Sequence, residues 1–171
     1  MKRLGIAILA SCLLCIVGCQ RTKPQAPSHR TEKDSSEMAL LLMNQRLAVE
    51  ADRELAQYVN HVDSGYVLSE WNVWYKYLQR TDEPRWKRDE QVLLHAQVYT
   101  LDGQLLVDSE EVIVLGKGET LQAIETMVLE MRRNEACRIL SPWYLAYGVS
   151  GSNEVPPYMN VKIDLETRTI D

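Results

Sequence analysis

Two segments of the sequence with an apolar face constrain the fold more than any other feature. One runs from Val92 to Tyr99 and the other from Met159 to Glu166, and in each an apolar residue stands at every second position. A period of two predicts a β-strand with one face in a core. Between them, residues 120–133 show the spacing of an amphipathic helix. The pattern predicts an α+β fold, an antiparallel β-sheet wrapped around one helix.

Shorter segments complete the predicted sheet. Asp102-Gly103 predicts a hairpin turn after the first strand. His95 falls on the mixed face of that strand, and we interpret it as structural because no carboxylate stands at a suitable spacing along the chain. Further strands are predicted at residues 72–78, 105–109, 112–115 and 136–140.

The N-terminus has the pattern of a lipoprotein signal peptide. Lys2 and Arg3 precede an uncharged run, residues 4–18, that is shorter than the roughly 20 residues of a membrane-spanning helix. Its end, Ile16-Val17-Gly18-Cys19, resembles the bacterial lipobox, in which the cysteine is acylated and becomes the mature N-terminus. The prediction is a signal peptide over residues 1–18 and lipidation at Cys19. The alternatives are an uncleaved anchor and cleavage at another position.

Residues 19–34 are polar, contain two prolines and predict a flexible tether. Residues 35–62 predict an N-terminal helix, capped by Asp34 or Ser35, and residues 63–171 the main folded domain. The helix could pair two subunits as a homodimer, or it could dock on its own domain or hold that domain away from the membrane. The apolar stripe of the helix consists of Met38, Leu41, Leu42, Ala48, Ala51, Leu55 and Val59.

Composition limits the classes of function. Lys and Arg number 19 against 24 Asp and Glu, a net charge of -5, which argues against a nucleic-acid partner. The four cysteines and three histidines show no metal-ligand spacing, and no cofactor is expected. After cleavage only Cys19 and Cys137 remain, and we expect Cys137 to be a small buried apolar residue.

Three motifs occur in a recognisable order between the predicted strands. They are Leu115-Gly116-Lys117-Gly118, Ala146-Tyr147-Gly148 and Val155-Pro156-Pro157. Over about Glu90 to Asp171 this order resembles the FK506-binding-protein (FKBP) family of peptidyl-prolyl cis-trans isomerases. With the lipobox and the aromatic strand at residues 74–77, the chain is similar to the isomerase-like lipoproteins associated with gliding motility in Bacteroidetes.

The resemblance implies a proline-binding pocket. It makes Tyr147 the hydroxyl donor to a substrate carbonyl and Asp108 the equivalent of an acidic residue after the hairpin, both as catalytic residues. Ile124 and Ile163 stand where the family usually has a tryptophan and a phenylalanine, and the chain has 0 Phe, which weakens the expectation of efficient catalysis. The substrate pocket implied by the resemblance consists of Thr120, Leu121, Ile124, Val155 and Ile163.

The implied function is that of a lipid-anchored prolyl isomerase or folding helper facing the periplasm. Its partners would be proline-containing exported polypeptides and, through the lipid on Cys19, the membrane, with a link to gliding motility or secretion. The chemistry needs neither a nucleophile nor a metal, because rotation about an X-Pro bond breaks no covalent bond. The alternative is a catalytically weak or inactive module of the same fold that serves as a chaperone or structural component of a cell-envelope machine.

Overall fold

The computed structural model describes residues 30–170, and side chains from Ser35 onward. The described part contains two α-helices, one turn of 3₁₀-helix and a six-stranded sheet. The elements are α1 (Arg30–His61), β1 (Val67–Leu68), β2 (Trp74–Gln79), β3 (Gln91–Tyr99), β4 (Leu105–Val114), α2 (Gln122–Glu130), β5 (Ala136–Ser141), the 3₁₀-helix (Trp143–Leu145) and β6 (Val161–Arg168).

The sheet is antiparallel throughout, with the strand order β1-β2-β5-β6-β3-β4. The two alternating segments of the sequence therefore lie side by side in its centre as β3 and β6. Ile163 of β6 stands opposite Val98 of β3 on one side and opposite Ile139 of β5 on the other. This arrangement confirms the predicted α+β sheet fold.

Helix α2 packs on one face of the sheet and closes the main core. Its apolar face, which includes Met127 and Val128, meets the inward-facing residues of the central strands. Each of these strands buries every second residue, as expected for a sheet covered on that face. The fully buried residues of this core include Val92, Leu94, Leu115, Met131, Cys137, Ile139, Val161, Ile163 and Leu165.

The C-terminal half of α1 packs against the opposite face of the sheet. Leu55 and Val59 form a second apolar cluster with Tyr66 and with Leu140 of β5. Leu140 points away from α2 because its neighbour Ile139 faces the main core. Of the roles left open for the N-terminal helix, this segment therefore docks on its own domain.

The chain divides into two compact units, Met1–Leu41 and Leu42–Asp171, so that α1 crosses the boundary. In the first unit the described residues belong to α1, which begins at Arg30, inside the predicted tether. The apolar side chains Met38, Leu40 and Leu41 are exposed there, and so are the following Leu42 and Met43. The predicted signal peptide and Cys19 lie outside the described residues.

Two of the other differences from the predicted bounds have a clear physical reason. The segments predicted as two strands form one strand, β4, because Glu110 and Glu111 lie in an edge strand where both faces can reach solvent. Helix α2 ends at Glu130 because the buried carboxylate of Glu135 accepts a hydrogen bond from the Arg132 N–H (2.7 Å) and stabilises a turn. Among the described helices, none is long and apolar enough to cross a membrane.

Candidate active site

A cavity of about 280 Å³ opens between the start of α2, the face of β3 and β4 that is turned towards α2, and the loop after β5. Its volume is near the lower end of the roughly 300 to 1,000 Å³ of ligand pockets, which suits a short peptide segment. Four of its nine lining residues are aliphatic, four are polar or acidic, and one is a tyrosine. The lining residues are Ala96, Val98, Ser109, Glu111, Glu119, Thr120, Leu121, Ile124 and Tyr147.

Tyr147 is the aromatic residue of this wall, and backbone hydrogen bonds on both sides fix its position. The N–H groups of Ala146 and Gly148 both donate to the Trp143 carbonyl, at 3.1 and 2.8 Å. The Tyr147 carbonyl accepts a hydrogen bond from the Gly151 N–H at 3.1 Å. The left-handed conformation of Gly148, with φ of 68°, turns the chain immediately after the tyrosine.

The Tyr147 hydroxyl is available to a ligand. The side chain is half-buried against the main core, and its hydroxyl has no hydrogen-bond partner among the described residues. Burial raises the pKa of Tyr147, and the nearby Glu154 carboxylate raises it further. The phenol is therefore protonated at neutral pH and can donate a hydrogen bond to a carbonyl oxygen in the cavity.

The start of α2 supplies the floor. Thr120 and Leu121 precede the helix, and Ile124 lies in its first turn. Ile124 is 3% exposed, so that one side of it packs in the core and the other borders the cavity. The structure thus brings Tyr147 together with three of the five residues that the resemblance assigned to the pocket.

Val155 and Ile163 do not border this cavity. Both are completely buried in the main core, and Ile163 lies between Val98 and Ile139 within the sheet. The interpretation of these two residues as pocket walls is therefore corrected: they support the wall from behind. Alternation along a strand predicts that Ile163 faces inward, but only the packing shows that other side chains cover it.

Asp108 also needs correction, because it lies on the other face of the sheet. Its carboxylate accepts a hydrogen bond from Gln97 Nε2 (2.9 Å) and is hydrogen-bonded to His95 Nε2 (2.8 Å). These bonds, Gln97 first, lower the pKa of the Asp108 carboxyl group. His95 thus has a carboxylate partner on the neighbouring strand, which spacing along the chain could not show. Neither residue reaches Tyr147.

The inward-facing neighbours of Asp108 are the residues that the sequence analysis missed. Ser109 stands opposite Ala96, and Glu111 stands opposite Leu94, so both face the cavity side of β4. Glu119 completes the rim and accepts a hydrogen bond from the Val114 N–H at 2.7 Å. The alternation of inward- and outward-facing residues along β4 could have indicated them. Which residues face inward, however, depends on the register between β3 and β4.

The cavity is suited to binding rather than to covalent chemistry. It offers several aliphatic side chains, the neutral hydroxyl groups of Ser109, Thr120 and Tyr147, and a rim with two carboxylates. Within the part of the chain that the structure describes, no three His, Cys, Asp or Glu side chains form a group that could hold a metal ion.

Comparison with solved structures shows the same fold in prolyl isomerases. A peptidyl-prolyl cis-trans isomerase from Pseudomonas syringae pv. tomato is 14% identical, with a TM-score of 0.62, over 73% of this chain and 93% of that chain. AtFKBP13 is 16% identical, with a TM-score of 0.57, over 63% of this chain and 99% of that chain. The N-terminal domain of FKBP42 from Arabidopsis thaliana is 24% identical, with a TM-score of 0.56, over 64% and 94%.

No curated protein sequence matches the chain. The family model for FKBP-type peptidyl-prolyl cis-trans isomerases matches residues 83–167. This range includes every residue that lines the cavity. Residues 83–167 therefore form a domain of the family of FKBP-type peptidyl-prolyl cis-trans isomerases.

Proposed function

We propose that the chain catalyses rotation about X-Pro bonds in exported polypeptides, from a position anchored to a membrane by lipid on Cys19. The observation on which the catalytic part depends is the unbonded, protonated Tyr147 hydroxyl in the wall of a cavity that also exposes the aliphatic side chains of Leu121 and Ile124. The anchoring and the class of client rest on the sequence of residues 1–19.

The physical task is to bind the twisted imide better than the planar one. Uncatalysed rotation has a barrier of about 18 to 20 kcal/mol, because the twisted bond loses its amide resonance. Leu121 and Ile124 offer an apolar surface for the proline ring. A donor at Tyr147 would hold a substrate carbonyl while the bond rotates, so the hydrogen bond is most useful when it strengthens in the twisted state.

The charge of the rim suggests which prolyl peptides bind best. Glu111 and Glu119 both border the cavity, and Glu111 is exposed with no ion-pair partner among the described residues. A basic residue beside the proline would therefore meet a complementary charge, and an acidic one would be repelled. We include a preference for Lys-Pro over Glu-Pro peptides in the proposal.

A protease-coupled assay with tetrapeptides that contain Lys-Pro, Leu-Pro or Glu-Pro tests the catalytic part. We expect the wild-type chain to accelerate isomerisation, most for Lys-Pro. Tyr147→Phe should lower kcat/KM about three- to tenfold, the size expected for one neutral hydrogen bond. Tyr158→Phe is the matched control, since Tyr158 lies in the same loop and does not border the cavity. Absence of acceleration by the wild-type chain would refute the proposal.

Anchoring is tested separately by Cys19→Ala. If Cys19 carries the lipid, the wild-type chain fractionates with membranes and remains accessible from the periplasm. The variant, in contrast, is not converted to the mature lipidated form. Metabolic labelling with an alkyne fatty acid reports the modification directly. Labelling that persists in Cys19→Ala would contradict this part of the proposal.

A second candidate function follows from the departures in the pocket. Ile124 supplies no aromatic floor, Ile163 is buried behind the wall, and Asp108 faces away from the cavity. These features favour a weak or inactive module that acts as a chaperone or a structural component of a gliding-motility or secretion machine. Cells that carry Tyr147→Phe decide between the two: normal motility and secretion favour the module, and a loss that parallels the enzymatic loss favours the isomerase.

We also propose that the exposed apolar segment of α1, Met38 to Met43, pairs with a second copy of the chain. Its five large side chains are between 46% and 58% exposed, which is unusual for consecutive apolar residues of a helix. Sedimentation analysis should show a dimer for the wild-type chain and a monomer for Leu40→Glu. A wild-type monomer at micromolar concentration would reject the pairing.

A further inference from the structure

Asn160 joins three separate parts of the fold through a single side-chain amide. It lies just before β6 and is 6% exposed. Its Oδ1 accepts a hydrogen bond from the Trp143 N–H at 3.0 Å. Its Nδ2 donates to the Ala51 carbonyl at 3.2 Å and to the Glu54 carboxylate at 2.6 Å, both on α1. Every polar atom of the amide thus has a partner.

Trp143 transmits this connection to the loop of Tyr147. Its carbonyl accepts the hydrogen bonds from Ala146 and Gly148, the two residues that flank the tyrosine. Its indole N–H donates to the Leu47 carbonyl of α1 at 3.4 Å. Its ring also packs edge to face against Tyr158, at 4.9 Å between centroids. A displacement of Trp143 would therefore move both ends of the segment that holds Tyr147.

We propose that Asn160 is a positioning residue that couples α1 to the active cavity, so that residues 47–54 of the helix form part of the catalytic unit although they lie outside residues 83–167. This inference rests on the proposed function for its activity readout. Asn160 and Glu54 do not border the cavity, and they act only through Trp143 and the loop that it holds.

The variant Asn160→Asp separates the hydrogen bond that the Asn160 side chain accepts from Trp143 from the two that it donates to α1. It has nearly the same shape and keeps an acceptor for the Trp143 N–H, but it loses both donors and places a carboxylate against Glu54. We expect kcat per folded molecule to fall at least fivefold while KM changes less than twofold. The aliphatic walls that bind proline remain, whereas the hydroxyl that acts on the twisted state is displaced.

Two further variants separate positioning from simple loss of stability. Glu54→Ala removes one of the two α1 partners, leaves the hydrogen bond to the Ala51 carbonyl, and should lower kcat in the same direction. Thr167→Val removes another buried hydrogen bond, from its hydroxyl to the Glu135 carbonyl (3.2 Å), at the far end of β6. This control should lose stability but keep kcat per folded molecule, with the folded fraction taken from thermal unfolding.

The NMR resonances of the Tyr147 ring in the full chain give a readout that does not depend on activity. They should shift in Asn160→Asp and Glu54→Ala and stay unchanged in Thr167→Val. Unshifted Tyr147 resonances, or wild-type kcat in both α1-contact variants, would overturn the coupling. If the wild-type chain itself is inactive, the proposed function fails, and the Tyr147 shifts alone then support or reject the coupling.

Discussion

At the scale of single residues, Ile124 and Ile163 show the difference between a side chain that borders a cavity and one that supports its wall. Both are almost completely buried, at 3% and 0% exposure. Only Ile124 has one side on the cavity, because it stands in the first turn of α2. Removal of a methyl group should therefore affect binding at one position and only packing at the other.

We predict that Ile163→Val lowers the free energy of unfolding by about 0.5 to 1.5 kcal/mol and leaves KM for a prolyl peptide unchanged. Ile124→Val should cost a similar free energy but raise KM, because the substrate loses apolar contact. Urea unfolding and steady-state kinetics measure the two effects. A higher KM for Ile163→Val would return that residue to the pocket wall.

The predicted site residues that border the cavity adjoin short motifs. Thr120, Leu121 and Ile124 follow the Gly116–Gly118 turn, and Tyr147 lies in its own motif, so their positions follow from local spacing. Asp108 was misplaced because a shift of one residue along a strand moves a side chain to the other face. That register is set by pairing between strands, and it cannot be read from the local sequence.

At the scale of elements, the loop between β5 and β6 depends on one glycine. Gly151 has φ of 66°, and a Cβ atom there would lie 2.7 Å from Pro157 N, 2.8 Å from the Pro156 carbonyl carbon and still closer to the Val155 carbonyl oxygen. These are backbone atoms, which cannot move aside as a flexible side chain could. The close approach holds the second half of the loop against the Tyr147 segment.

We therefore predict that Gly151→Ala destabilises the protein by more than the strain of the left-handed conformation alone, about 1 to 2 kcal/mol. It should also lower kcat/KM, because the displaced loop includes Tyr147. Gly118→Ala is the matched control: its φ is 70°, and a Cβ atom there would meet nothing within 4 Å. Equal losses of stability in the two variants would show that the backbone contact at Gly151 has no effect.

Element types could be read from the sequence better than element boundaries. Apolar periodicity gave the strands and α2, since the burial of one face dictates that pattern. It could not show that β4 continues through Glu110 and Glu111, because an edge strand tolerates polar residues on both faces. The docking of α1 through Asn160 was also out of reach, since Asn160 and Ala51 are 109 residues apart.

At the scale of the whole molecule, ionisable groups set a range of pH in which the fold is stable. Lys76 donates a hydrogen bond to Asp63 and lowers the pKa of that carboxyl group, so its contribution to stability is lost as the pH falls below 3.8. Burial raises the pKa of the phenols Tyr66, Tyr77 and Tyr144. The unfolded chain ionises these groups at lower pH than the folded chain, and stability then falls as the pH rises.

As the pH rises above neutral, Cys137 should be the first of these buried groups to lower the stability of the fold. Burial in the main core raises the pKa of its thiol from 9.0 to about 12. Between these values the unfolded chain releases a proton that the folded chain keeps, so this group lowers the free energy of unfolding by up to about 1.4 kcal/mol per pH unit. Tm measured from pH 6 to 11 should start to fall near pH 9. Cys137→Ala should lower Tm at pH 7 by leaving a small void but delay the alkaline fall towards pH 10, where the buried tyrosines begin to contribute. An unchanged onset in Cys137→Ala would mean that the folded state loses the thiol proton as readily as the unfolded chain does, which is incompatible with its position between α2 and the sheet.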